Sequence, residues 1–453
     1  MNELNKEIFR AYDIRGTYPA TINEQAAYII GRAYGSYLQE KYSKNTCIVS
    51  HDNRLSSEAL TQNLIKGIMA SGANVISLGL TTTPMNYYAR YINQMPGIMV
   101  TASHNPKDDN GFKFSFDGMI NARGEMITDF RDYCVQGRFL AGMGKITNRT
   151  ILDKYLEYLK FSIHYGRNKK KIVIDPGNGA TCSIIRKVFD NSFCTPIYIN
   201  EVSDGSFPAH HPDPSVAENM VQLQKAVKDN KADFGVAYDG DGDRIGVVME
   251  NGELLPIEHL MLIYIKDMLL NVGTKKFLYD IKCSKVIDDV LKSWNVEGVR
   301  YRTGASYTQF KTHQDNLPFG GEYSGHLYFR DRDADCGSAI YASLRLLEIM
   351  SKTGDKLSKL VAGFPKYVST PEVKIPCADE KKFEVVEKIK KYAKEQNYPV
   401  NDIDGARVEY TNGWVLVRAS NTGPNITFRA EATSVNGVKS LQNIYLPMID
   451  RFK

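Results

Sequence analysis

The chain has 453 residues, of which 43% are hydrophobic and 24% charged, with 57 basic against 52 acidic side chains for a net charge of +5. This is the balance of an ordinary globular protein; it lacks the concentrated basic excess of a nucleic-acid binder, and no apolar stretch approaches the ~18 residues of a membrane helix. Neither nucleic acid nor membrane is therefore an expected partner, and seven cysteines, an odd number without a C-x-x-C pair, fit reduced thiols in a cytoplasmic compartment.

The length exceeds what one core serves, and two to four domains are expected. A pattern recurs three times: strand, helix, strand, then an apolar strand that ends in a polar loop. The first copy has a strand from Cys47 to Ser50, a helix near Ser56–Ser71, strands at Asn74–Leu80 and Gly97–Val100, and the loop Thr101–Pro106. The second runs from Lys171–Asp175 through Pro196–Asn200 and Phe234–Tyr238 to the loop Asp239–Arg244, which Ile245–Met249 follows. The third runs from Lys276–Asp280 through Gly298–Arg302 to the loop Gly321–His326. Alternating strands and helices predict α/β units whose strand-end loops carry ligands. A charged amphipathic helix over Glu380–Gln396 and the strands Val408–Tyr410, Trp414–Arg418 and Asn425–Ala430 predict a smaller α+β unit. The expected architecture is therefore α/β: three related α/β domains with mixed sheets (1–150, 151–252 and 253–365) and a C-terminal α+β domain (366–453), arranged around a central cleft. The basic run Arg167–Lys171 reads as a solvated linker.

Thr101-Ala102-Ser103-His104-Asn105-Pro106 has the residues of an ordinary turn. It also offers a serine hydroxyl with His104 and the downstream Lys113 at hand, the minimum for a nucleophile or phosphoryl carrier. No G-x-S-x-G elbow is present, which argues against acyl transfer. Asp175-Pro176-Gly177-Asn178-Gly179 resembles the start of a dinucleotide site, but Cys182 stands where a third glycine is required, and a strand-to-helix turn is the better reading.

Asp239-Gly240-Asp241-Gly242-Asp243-Arg244 places three carboxylates in five positions. At roughly 5 Å and an effective dielectric of about 20, each pair repels by about 3 kcal/mol, so a compensating charge is expected. A hard divalent cation with oxygen ligands suits the pattern, and Asp239, Asp241 and Asp243 are its candidate ligands. An EF-hand is excluded although Glu250 sits at the twelfth position, because the sixth is Arg244 rather than Gly and the flanks are strands. A metal loop and a serine loop in one chain point to phosphoryl transfer.

Gly321-Glu322-Tyr323-Ser324-Gly325-His326 sets a carboxylate able to hold vicinal sugar hydroxyls beside an imidazole suited to acid–base work; a structural histidine is the competing reading. Arg418-Ala419-Ser420-Asn421-Thr422-Gly423, with Arg429 on the next strand, has the hydroxyls, amide and guanidinium forks of a phosphate cradle; a polar hairpin turn would not require the two arginines.

These loops, with Phe9-Arg10-Ala11-Tyr12-Asp13-Ile14-Arg15-Gly16 near the start, resemble the α-D-phosphohexomutase family in its bacterial phosphomannomutase/phosphoglucomutase branch, over the whole chain. The resemblance implies a mutase that interconverts hexose 1-phosphate and hexose 6-phosphate, of mannose or glucose, through a bisphosphate that reorients between two transfers. It implies that Ser103 carries the phosphoryl group and binds one Mg²⁺ together with Asp239, Asp241 and Asp243. Arg15, His104 and Lys113 would surround the transferring group, and His326 would act as acid and base. Tyr12, Arg244, Lys282, Thr303, Gly304, Glu322 and Ser324 would contact substrate. Arg418, Ser420, Asn421, Thr422 and Arg429 would hold the non-reacting phosphate. A hexose 1,6-bisphosphate activator and a monomer or weak dimer are further expectations. One departure stands out: Ala305 follows Thr303-Gly304 where many relatives carry histidine. A phosphoglucosamine mutase is the nearest alternative; a phosphoserine-type phosphatase would need no second phosphate cradle.

Overall fold

The structure, a computed structural model, describes residues 4–420 and 423–453. It divides into two compact units, Met1–Ile257 with Ser324–Ala362, and Glu258–Tyr323 with Gly363–Lys453. The architecture is four-domain α/β with mixed sheets. Among the described residues, no helix is long and apolar enough to cross a membrane.

The first unit holds two sheets. One has six strands in the order Ile14–Thr17, Asp109–Ser115, Gly97–Val100, Thr46–His51, Asn74–Leu80 and Ile146–Asn148. Its last three pairings are parallel, whereas Asp109–Ser115 is antiparallel to both of its neighbours. The short connection after Gly97–Val100 accounts for this, since a parallel partner needs a crossover of a dozen or more residues. The helices Glu24–Tyr42 and Ser57–Ala70 approach through glycines: a Cβ on Gly31 would lie 2.2 Å from the Leu64 carbonyl, and one on Gly67 2.1 Å from that of Tyr28. Tyr34, Phe112, Phe114, Phe116 and Phe130 fill the core beside them.

The second sheet runs Leu254–Leu255, Ile245–Met249, Phe234–Tyr238, Lys170–Asp175, Cys194–Tyr198. Phe234–Tyr238 and Ile245–Met249 form an antiparallel hairpin whose turn is the aspartate loop. The buried helix Ala339–Thr353 belongs to this unit, with Tyr238 donating to Ser343 Oγ at 2.9 Å. The basic run is not wholly solvated. Lys170 is buried at the start of its strand, and its Nζ donates to the Gly354 carbonyl at 3.1 Å: the apolar stem packs while the charged tip finds an oxygen.

In the second unit, Lys276–Asp280 lies between the parallel strands Glu297–Tyr301 and Phe319–Gly321. The rest is an antiparallel sheet, Val368–Ser369, Asn425–Ala432, Gly413–Ala419, Ala406–Tyr410 and Val400–Asn401, with Val373–Pro376 also pairing with Asn425–Ala432. The helices Asp379–Glu395 and Val435–Phe452 pack their apolar side chains against those of the strands to make its core. Arg407 ties the two sheets of this unit, donating to the Ile281 and Cys283 carbonyls at 2.7 Å each.

Candidate active site

The aspartate loop is wound around one of its own carboxylates. Asp239 Oδ1 accepts from the backbone N–H groups of Gly242, Asp243 and Arg244 at 3.1, 3.0 and 3.0 Å. Gly242 permits this with φ of +80°, a conformation that side chains with a Cβ rarely adopt. All three aspartates are buried, each offering an oxygen within 4.8 Å of the others. Lys113, on Asp109–Ser115, answers part of the repulsion, its Nζ 2.8 Å from Asp241 Oδ2 and 2.5 Å from Asp243 Oδ2. Asp241 Oδ1 remains buried without a hydrogen bond. An all-oxygen donor set with an orphaned carboxylate oxygen fits a hard divalent cation. The electrostatics are uneven. Burial, with Asp241 and Asp243 nearby, pushes the Asp239 carboxyl well above its usual range. Burial works in the same direction on Asp243, but Lys113 and His326 outweigh it and hold that carboxyl well below.

The serine loop meets this cluster inside the same unit. Ser103 Oγ donates to Asp239 Oδ2 at 2.6 Å, and His104 Nδ1 lies 3.4 Å from the same hydroxyl. Gly240 allows the loops to touch: a Cβ there would stand 2.5 Å from the Ser103 carbonyl. Burial, then the charges of Arg244 and Arg15, lower the His104 imidazole well below its usual value and keep it neutral. Arg15 pairs with Asp13 at 2.5 Å and keeps Nη1 without a hydrogen bond. Tyr12 interacts electrostatically with both Arg15 and Arg244.

Arg244 and His326 form a bridge between the aspartate loop and the segment after Tyr323. Gly325, at φ of +92°, lets its carbonyl accept from Ile245 N at 3.2 Å. His326 Nε2 lies 3.0 Å from Asp243 Oδ1, and its Nδ1 lies 3.0 Å from Ser324 Oγ. Thus the first unit brings together Ser103, His104, Lys113, Arg15, Tyr12, Ser324, His326 and the whole of Asp239–Arg244. Glu250, the would-be twelfth calcium ligand, instead accepts from Ser358.

The second unit gathers the remaining described candidates. Glu322 is buried and Oε1 accepts from Gly304 N at 2.7 Å and Thr308 Oγ1 at 2.9 Å, while Thr303 Oγ1 donates to Asp280 Oδ2 at 2.9 Å. Lys282 pairs with Glu372 at 2.9 Å. Burial opposes charge on both partners, yet Lys282 pushes Glu372 down to about 2 and is itself raised. Arg418 donates from Nε to Asp404 Oδ2 at 2.7 Å, and Asp404 also accepts from Thr303 N at 3.0 Å. Arg429, expected in the phosphate cradle, lies 3.3 Å from Glu258 Oε1, donates to the Lys282 carbonyl, and stacks 3.8 Å over the Tyr323 ring. Ser420 donates its N–H to the Asn425 carbonyl at 2.9 Å; Asn421 and Thr422 lie outside the described residues.

Sequence reasoning missed several residues that shape these loops. Arg54 and Thr101 grip Ser103, and Thr83 Oγ1 donates to Asp241 Oδ2 at 2.6 Å. Lys382 Nζ donates to the Ser420 and Gly423 carbonyls at 2.7 and 3.3 Å. Thr101 opens the serine loop, but Arg54, Thr83 and Lys382 stand in none of the motifs. The only local hint was a buried-looking polar residue at the end of an apolar strand or within an amphipathic helix.

A buried serine hydroxyl set against three carboxylates and a lysine, within four-domain α/β architecture, defines a phosphate-transferring enzyme. The chain matches phosphoglucomutase/phosphomannomutase α/β/α domain I over residues 6–131, domain II over 153–252, domain III over 257–367 and the C-terminal domain over 372–444. It is 38% identical over 439 residues to a phosphomannomutase/phosphoglucomutase of Pseudomonas syringae pv. tomato, covering 97% of this chain and 94% of that protein. It is 34% identical over 462 residues to a phosphoglucomutase of Neisseria gonorrhoeae, covering 99% and 98%. A crystal structure of a phosphoglucomutase/phosphomannomutase family protein from Burkholderia thailandensis superposes with a TM-score of 0.90 at 32% identity, over 99% of this chain and 98% of that one. The chain belongs to the phosphoglucomutase/phosphomannomutase family. It is a mutase, an enzyme that moves phosphate on a hexose phosphate.

Proposed function

We propose that this mutase interconverts hexose 1-phosphate and hexose 6-phosphate, of mannose, glucose or both, with Ser103 as phosphoryl carrier. The observation that carries the reading is the 2.6 Å contact between Ser103 Oγ and Asp239 Oδ2, with Lys113 bridging Asp241 and Asp243 beside it. In the first transfer a sugar hydroxyl attacks the phosphorus of phosphoserine, the P–Oγ bond breaks, and the hydroxyl proton leaves to a base. In the second transfer, with the bisphosphate turned end for end, Ser103 Oγ attacks the phosphorus of its other phosphate, the sugar O–P bond breaks, the serine proton passes to a base and the leaving sugar oxygen takes up a proton as a hydroxyl.

Asp239, Asp241 and Asp243, with an oxygen on Ser103, would hold one Mg²⁺. When bound, that ion offsets negative charge gathering on the transferring group. Lys113 and Arg15 add positive charge from protein groups. The neutral imidazole of His104 can accept a proton, and His326, oriented by Ser324, is the acid–base group for the sugar hydroxyl. Glu322, Ser324, Thr303, Gly304, Lys282, Tyr12 and Arg244 would position the sugar. Arg418, Ser420, Asn421 and Thr422 would hold the phosphate that does not react. Arg429 would complete this cradle, and its bond to the Lys282 carbonyl and its stacking on Tyr323 would also position Lys282. A sugar bisphosphate would be the activator that loads Ser103.

The test is turnover of mannose 1-phosphate, glucose 1-phosphate and glucosamine 1-phosphate side by side, with Mg²⁺ and bisphosphate. The reading expects the first two to be favoured. Preference for the glucosamine ester would replace it with the phosphoglucosamine alternative, and release of inorganic phosphate without isomerisation would replace it with a phosphatase.

A further inference from the structure

We propose that Arg54 and Thr101 are a positioning pair that imposes the reactive backbone conformation of Ser103. The inference rests on reading Ser103 as the phosphoryl carrier.

Ser103 has φ of +52°, in the left-handed region that is uphill for a residue with a Cβ. Something must hold it there. The loop itself supplies no glycine at this point, so the constraint has to come from the groups that grip the Ser103 peptide. Its N–H donates to Thr101 Oγ1 at 2.8 Å, and its carbonyl accepts from Arg54 Nη2 at 2.8 Å. Both ends of the residue are therefore fixed by side chains.

Arg54 does more than fill space. It is 2% exposed, and its fork reaches four carbonyl oxygens. Nη2 also donates to Asn105 at 2.7 Å, and Nη1 donates to Pro106 at 2.6 Å and Asp109 at 3.0 Å. All four acceptors belong to the serine loop or its exit into the strand that carries Lys113. A planar guanidinium can serve four carbonyls in fixed directions, whereas an ammonium on a flexible stem cannot. The ring of Phe207 closes the remaining face, 5.3 Å from the guanidinium carbon.

Asp52 anchors both members of the pair. Its Oδ2 accepts from Thr101 Oγ1 at 2.7 Å and lies 3.3 Å from Arg54 Nε, while its Oδ1 accepts from Arg54 N at 3.0 Å and Ser57 Oγ at 2.5 Å. The Thr101 hydroxyl also lies 3.1 Å from Asp241 Oδ2, so the aim of the serine and the seating of the aspartate loop share one atom. Neither Arg54 nor Thr101 needs to touch substrate. They act by fixing where Ser103 Oγ sits, and in-line phosphoryl transfer depends steeply on that position.

The experiment begins with intact-mass analysis of the wild-type enzyme, then steady-state kinetics at saturating Mg²⁺ and bisphosphate for Arg54→Lys, Thr101→Val and Thr101→Ser, with thermal melts of each. A displacement of about 1 Å at the carrier costs about 100-fold in kcat, and that loss is expected for Arg54→Lys and Thr101→Val. KM for the sugar phosphate should change by less than about threefold, because the groups that bind it are untouched. Thr101→Ser restores the hydroxyl and should recover most of the rate. Wild-type kcat in Thr101→Val, or a loss expressed wholly in KM, overturns the proposal. Should the melts show Arg54→Lys unfolded, the contrast between Thr101→Val and Thr101→Ser decides it alone. A wild-type enzyme that never carries phosphate on Ser103 overturns the carrier reading, and this inference with it.

Discussion

Ser103 Oγ and Asp239 Oδ2 lie 2.6 Å apart, although the two residues belong to loops at the ends of strands in different sheets. A hydroxyl held this close to a buried carboxylate is placed where its phosphorylated form would share a cation with Asp239. Replacing Ser103 with alanine should leave the fold intact and remove turnover by about a thousandfold or more, as loss of a covalent carrier does. Intact-mass spectrometry should show one phosphate on the wild-type protein and none on Ser103→Ala. Phosphate found reproducibly on another residue would falsify the carrier assignment.

The orphaned Asp241 Oδ1 leads to a second expectation that does not depend on activity. A ligand that binds only the folded state raises stability by about 2.7 kcal/mol at a hundred times its dissociation constant. Mg²⁺ should therefore raise the melting temperature of the wild-type chain, and chelator should reverse the shift. Asp241→Asn should abolish the shift and lower Mg²⁺-dependent turnover by about 100-fold or more. An equal thermal response in both proteins would remove Asp241 from the metal site.

The aspartate loop was legible because its signal is local: two short apolar runs, Phe234–Tyr238 and Ile245–Met249, flank carboxylates whose repulsion needs an answer. The strands Asn74–Leu80, Gly97–Val100 and Lys276–Asp280 were legible for the same reason. Asp109–Ser115 was not. It opens with Asp109-Asn110-Gly111, which reads as a turn, and Asn110 is tolerated in the core because its side chain donates to Ser56 and Ser57. Arg54 was invisible to sequence reasoning because its partners lie some fifty residues downstream, a distance no periodicity encodes. The packing of Arg429 was hidden for a related reason. It shares a sheet face with Arg418, which pairs with Thr427 two residues before it, but its guanidinium lies against Glu258 and Tyr323, partners that no sequence spacing encodes.

Arg418 combines a structural bond with an expected ligand bond. Its Nε is held by buried Asp404, so Arg418→Ala would strand a buried carboxylate, a change that costs about 3–5 kcal/mol. Arg418→Lys keeps the charge and loses the fork. Hydrogen bonds to charged groups contribute about 1.5–3 kcal/mol, so KM should rise about 10- to 100-fold while kcat changes less. Stopped-flow transfer from prebound bisphosphate separates the two effects; equal losses in binding and transfer would argue against a phosphate contact.

His210 gives a pH expectation away from the metal loop. Burial disfavours its charge, but Asp175 Oδ2 at 3.0 Å outweighs burial and raises the imidazole above its ordinary value. Its other nitrogen lies 3.0 Å from the His211 carbonyl, which also favours the protonated ring. The ion pair therefore stabilises the fold fully below the unfolded value of about 6.5 and loses its contribution as pH rises through the raised folded value. Melts across that window should show wild type exceeding His210→Gln by a margin that shrinks as pH rises; a margin that grows would reverse the assignment.

Gly240 sets how closely the two chemical loops can approach. A Cβ there would lie 2.5 Å from the Ser103 carbonyl, a contact no backbone oxygen accommodates without moving. That oxygen is already committed to Arg54, so the strain of Gly240→Ala must displace the serine loop or the aspartate loop. Either movement lengthens the Ser103–Asp239 contact. Since a 1 Å error costs about 100-fold in rate, Gly240→Ala should reduce kcat by roughly that factor with little change in KM. Gly298→Ala is the control: its Cβ would meet the Tyr279 side chain at 2.8 Å in the other unit, a milder clash with no link to Ser103. If both variants lose the same small share of kcat in proportion to a fall in melting temperature, the closeness of the two loops has no special part in phosphoryl transfer.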